Sequence, residues 1–105
     1  MDKSEAIKIV KRYVELVSRK YQIENVILFG SYTKETNHSD SDIDLAIIVK
    51  SADDIIDMQI DLMRMRKDDE LMIEPHPFTL SDFHLSNPVA SGIIKNGIEL
   101  TNYIA

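Results

Sequence analysis

Apolar residues recur at three- and four-residue steps near the start of the chain. Ala6, Ile9, Val10, Tyr13, Leu16 and Val17 share one face, with Lys8, Lys11, Arg12, Glu15 and Arg19 on the other. This period predicts an amphipathic helix over about residues 3–20. Asp2, with Glu5 three positions later, matches a capping box with Asp as the cap. The pattern then changes. Asn25-Val26-Ile27-Leu28-Phe29 is short, β-rich and stopped by Gly30, which predicts a buried strand. Residues 31–42 are polar and form a connector. Ile43-Asp44-Leu45-Ala46-Ile47-Ile48-Val49 predicts a second buried strand, with one carboxylate set into its start. Residues 53–67 predict a second helix. Ile55, Ile56, Gln59, Ile60, Leu62 and Met63 form its broad apolar stripe, Asp53, Asp54 and Asp57 occupy the early turns, and Arg64, Arg66 and Lys67 the last, in the order the helix dipole favours. Residues 71–76 predict a third strand and 81–83 a helical turn. A short helix over 88–95 is entered through Asn87 and closed near Gly97, and 98–100 predict a last short strand.

Helix, strand, connector, strand, helix, strand, helix, strand argues for an α/β (α+β) arrangement around a small sheet. The connector is near the lower limit for a parallel crossover, so the sheet is predicted to be mixed. With no linker-like tract and only 105 residues, the whole of 1–105 is read as a single domain. A 44% hydrophobic share is ordinary for a folded chain. Lys and Arg number 12 against 18 Asp and Glu, a formal charge of −6, which disfavours general nucleic-acid binding. Cysteine is absent, so disulfides, thiolate metal sites and cysteine nucleophiles are excluded, and a cytoplasmic location is expected. No apolar run approaches the ~20 residues of a membrane span, and no signal peptide is visible.

The informative oddity is the carboxylate in the second strand. An ionised group inside an apolar strand costs several kcal/mol unless something compensates it. Asp42 precedes Asp44 by two, so both point to one face, about 6–7 Å apart. Like charges so placed disfavour each other, and a hard divalent cation, Mg²⁺ or Mn²⁺, resolves the conflict. Gly30-Ser31 closes the first strand: the glycine permits a sharp turn and close approach, and the serine offers a hydroxyl to a phosphate oxygen. Such a turn beside metal-binding carboxylates suits a nucleoside triphosphate. Alternative readings are a solvated acidic turn, which fits Asp40 better than Asp44, and an EF-hand. The second fails because Leu45 and Ser51 stand where its Gly and Glu belong. No Gly-Lys-Ser/Thr follows Gly30, so a P-loop is excluded as well.

Gly30-Ser31, ten residues, then Asp42-Ile43-Asp44, with Ser41 before and Leu45 after, resembles the DNA polymerase β-like nucleotidyltransferase superfamily, and in its shortness the minimal, antitoxin-type branch. The resemblance implies a polymerase β palm-like fold and transfer of AMP from ATP to an acceptor hydroxyl with two metal ions. Carried over residue by residue, it implies Asp42 and Asp44 as metal ligands and catalytic groups. It also implies Gly30 and Ser31, with Ser41 and Lys34, as the phosphate grip. The family's third carboxylate corresponds best to Glu74, where Asp is more usual. Glu74 shares its alternation face with Met72 and His76, a histidine whose more common role at such a spot is structural. His38 reads as a loop residue, and Met58, Met63, Met65 and Met72 as core. The resemblance further implies a HEPN-type helical protein as partner, adenylylated on a tyrosine. It leaves homo-oligomerisation open. The alternatives are a non-catalytic nucleotide-binding antitoxin module acting by contact, and a small-molecule nucleotidyltransferase.

Overall fold

The computed structural model describes residues 3–30 and 42–100. Helix α1 spans Lys3–Ser18, strand β1 Ile23–Phe29, strand β2 Ile43–Val49 and helix α2 Ile55–Arg64. A 3₁₀ helix follows over Asp68–Met72, then strand β3 over Ile73–Thr79, helix α3 over Pro88–Asn96 and strand β4 over Ile98–Glu99. The sheet order is β3-β2-β1-β4. β2 runs antiparallel to β1 and parallel to β3, so the sheet is mixed, as the short connector requires. Among the described residues no helix is long and apolar enough to cross a membrane.

The alternation of β2 separates two apolar layers. Ile43, Leu45, Ile47 and Val49 join Val26, Leu28 and Ile73 under α1 and α2, whose Ala6, Val10, Tyr13, Val14, Val17, Met58 and Leu62 are buried there. Ala46 and Ile48 face the other way, with Ile27 and with Ile93 of α3. The first layer is closed by polar contacts at its rim. The Tyr13 hydroxyl, fully buried, donates to the Leu62 carbonyl at 2.6 Å. That carbonyl lies in the last turn of α2, where helix geometry leaves acceptors without helical partners. Arg66 serves the same end, its Nε donating to the Met63 carbonyl at 2.8 Å. Arg12 of α1 reaches across to Asp69 and Glu70, and Glu70 Oε1 accepts from the Lys67 amide at 3.1 Å. Glu70 is therefore buried but fully engaged.

Several predicted elements differ in extent. α2 starts at Ile55, not residue 53, because the Asp54 carboxylate accepts from the Ile56 and Asp57 amides and makes it the cap outside the helix. Residues 81–83 form a hydrogen-bonded turn, with the Asp82 and Phe83 amides both on the Thr79 carbonyl, and not a helix. β3 lies at 73–79 instead of 71–76, and it contains two prolines. It is an edge strand, and odd-numbered backbone groups point away from β2. The Ile73 carbonyl accepts from Arg66 and the Pro75 carbonyl from Gln59, whereas the Leu80 amide donates back to Val49. Pro75 and Pro77 thus lack amides only on the outward side, where the ladder needs none.

Candidate metal and nucleotide site

β1 ends where β2 and β3 begin, so three strand termini meet at one end of the sheet. Asp44 lies opposite Phe29 of β1 and level with Glu74 of β3 in the parallel register. All three project from the face that carries Ala46, and His76, level with Ala46, follows on that face. His76 Nε2 lies 3.3 Å from Asp44 Oδ1 and 3.9 Å from Glu74 Oε1. One ligand atom each from Asp44, Glu74 and His76 can be chosen so that all lie within 4.8 Å of one another. The Phe29 ring, its centroid 5.2 Å from that of His76, backs the imidazole from the neighbouring strand.

Asp44 is not sunk in the core. It occupies the second position of β2, and its side chain keeps 27% of its exposure, so the cost of an ion in an apolar strand is relieved by water and by His76. Gly30 closes the other side with φ +83°, in the region that favours glycine. A Cβ there would stand 2.3 Å from Asp44 Oδ2, so the absence of a side chain is what lets this carboxylate sit against the strand end. Two carboxylates and an imidazole converging from adjacent strands are a donor set that fits a divalent cation.

The structure therefore brings Asp44, Glu74 and Gly30 together. Asp42 is exposed just ahead of β2 and is not part of the three-residue group. Ser31, Lys34, Ser41, His38 and Asp40 fall outside the described residues. His76 lies on the face it shares with Glu74, in contact with Asp44. A separate open cavity of about 610 Å³ lies where β2 ends, lined by Lys20, Tyr21, Ser51, Asp54, Asp57 and Asp61 among others. Five residues of strand, roughly 17 Å, separate that end from Asp44. There Tyr21 donates to Asp61, and Lys20 Nζ lies 2.7 Å from the same carboxylate. Hydrogen bonds from Lys20 and then Tyr21 hold Asp61 below the usual carboxylate range. Desolvation and the bond to Asp61 push Tyr21 up to about 12.

Residues 11–103 match the family model described as Polymerase beta, Nucleotidyltransferase. The chain belongs to the polymerase beta nucleotidyltransferase family. Members of this family generally use divalent metals and a nucleoside triphosphate. No curated protein matches this nucleotidyltransferase in sequence. Two solved structures share its fold. A Sulfolobus solfataricus protein assigned as a nucleotidyltransferase superposes with TM-score 0.69 at 19% identity, over 92% of this chain and 80% of that one. A chain from a toxin-antitoxin structure with AMP-PNP superposes with TM-score 0.55 at 20% identity, over 95% of this chain and 73% of that one.

Proposed function

We propose that this nucleotidyltransferase moves AMP from ATP to the hydroxyl of a tyrosine on a HEPN-type helical partner, and so acts as the antitoxin of a pair. The observation that carries the reading is the register of β2 and β3, which sets Glu74 beside Asp44 with ligand atoms of the pair and of His76 within 4.8 Å. The resemblance calls for a third carboxylate on a neighbouring strand, more usually Asp, and Glu74, level with Asp44 on β3, is the candidate for it. The likeness to a chain from a toxin-antitoxin structure with AMP-PNP supports a toxin as partner and an adenine nucleotide as ligand.

In this reading Asp42, Asp44 and Glu74 would hold two Mg²⁺ ions, or Mn²⁺ in their place, of which one would lower the acceptor's pKa and the other neutralise charge on the departing pyrophosphate. Gly30 and Ser31, with Ser41 and Lys34, grip the triphosphate. Glu74, about half exposed, would take the hydroxyl proton as the acceptor oxygen bonds to the α-phosphorus and the bond from the α-phosphorus to the oxygen bridging the β-phosphate breaks. His76 orients Asp44 through its Nε2 contact. The experiment is incubation of the purified chain and its partner with α-labelled ATP and Mg²⁺. Label on the partner, lost with Asp44→Ala and restored by no other change, supports transfer. An unlabelled partner that is nonetheless neutralised, equally well by Glu74→Ala, would favour the contact-only antitoxin instead.

A further inference from the structure

The surface of α2 carries an apolar stripe with no partner in the chain. Ile56 is 66% exposed, Ile60 43% and Met63 40%, while Met58 and Leu62 of the same helix are buried against the sheet. Ile56, Ile60 and Met63 stand at i, i+4 and i+7, so they form one line along the helix. α2 is thus apolar on two faces, and only one is covered. The flanks of the stripe indicate what covers the other. With Ile60 as the reference direction, Ile56 and Met63 fall about 40° and 60° to one side, and Asp57 and Arg64 about 60° and 40° to the other. Asp57 and Arg64 are both exposed.

This arrangement is self-complementary. A two-fold axis at Ile60, perpendicular to the helix, turns the pattern onto itself with apolar against apolar and acid against base. We propose that α2 packs antiparallel against α2 of a second copy of this chain. Ile60 meets its own counterpart, Ile56 packs on Met63, and Asp57 pairs with Arg64 across the seam. A two-fold interface presents one patch to itself, and a patch that matches itself in shape and charge is what that symmetry demands. A partner of another sequence would impose no such match. Ten residues of helix are about 15 Å long, and the contact is smaller than the ~800 Å² per partner of a standard interface, so the dimer is weak. The proposal stands apart from the catalytic reading, because α2 lies on the opposite face of the sheet from Asp44.

Sedimentation equilibrium of the full chain, from roughly 1 to 500 µM at low salt, tests it. A reversible monomer–dimer equilibrium in the micromolar range is expected. Ile60→Lys should weaken it at least ~10-fold without lowering the melting temperature, and Ile60→Ser serves if the lysine variant does not fold. Asp57→Arg and Arg64→Asp should each weaken it roughly fivefold or more, and the double variant should return to within about twofold of wild type. A monomer at 500 µM, a dimer indifferent to Ile60→Lys, or a double variant no better than the single ones overturns the proposal.

Discussion

Gly30→Ala separates the two things this glycine does. An L residue forced into the left-handed region at φ +83° costs about 1–2 kcal/mol. For a chain of this size that lowers the melting temperature by roughly 5–10 °C. The second effect is local. The new Cβ would stand 2.3 Å from Asp44 Oδ2, whereas ordinary contact begins near 3.4 Å, so the carboxylate must retreat by roughly 1 Å. A displacement of that size at a reacting centre costs on the order of 100-fold in rate. Calorimetry and the rate of labelled AMP transfer to the partner therefore move together, but by unequal amounts. The rate loss should persist at a temperature well below both melting points, where the folded fraction is unchanged. A variant that melts lower yet transfers within about threefold of wild type would refute the link between Gly30 and the position of Asp44.

Gly92→Ala is the matched control. Gly92 is an exposed position of α3 where an added Cβ meets nothing within 4 Å, so the substitution should stabilise by about 0.5–1 kcal/mol in a denaturant titration and leave transfer unchanged. Tyr13→Phe removes the donor to the Leu62 carbonyl and leaves a buried acceptor at the end of α2 unserved, at a cost of about 1–3 kcal/mol in the same titration. Alkaline pH should act through the tyrosines. Burial raises Tyr13, and desolvation and Asp61 raise Tyr21 to about 12, so between the ordinary tyrosine range near 10 and those higher values the folded state holds protons that the unfolded state has lost. Their stabilising effect is full below pH ~10 and declines as pH rises through the folded-state values. Tyr21→Phe should flatten part of that decline, measured as melting temperature against pH.

The elements that were legible in the sequence are those whose pattern is enforced by burial. β2 carries buried side chains at six of its seven positions, and its limits, Ile43 and Val49, coincide with the apolar run. Its partner β1 is legible except for Ile23 and Glu24, where one exposed acid breaks the run. β3 was harder, because prolines signal a stop and only an edge position with outward-facing amides makes them harmless. The site divides in the same way. Asp44 and Gly30 stand out locally, as an acid among aliphatic residues and a glycine at a strand end. That Glu74 and His76 lie beside Asp44 depends on a parallel register between strands some thirty residues apart, which no local pattern specifies. The α2 stripe read as core, and Met63 with it. Helical period shows that residues share a face, but it does not show that the remainder of the chain reaches that face.

The prolines of β3 bear on how an acceptor can arrive. Strand addition requires a row of free amides and carbonyls on an open edge, and Pro75 and Pro77 remove two of the outward amides from the edge nearest the site. The opposite edge is closed by β4, only two residues long. A polypeptide substrate therefore cannot be recognised by prolonging the sheet. It has to be presented from above the face that carries Asp44, by a rigid body that holds one side chain forward or by a tail that threads in without pairing. If the acceptor is the proposed protein tyrosine, its specificity then resides in whatever docks the carrier, and the sequence around the modified residue need not be read.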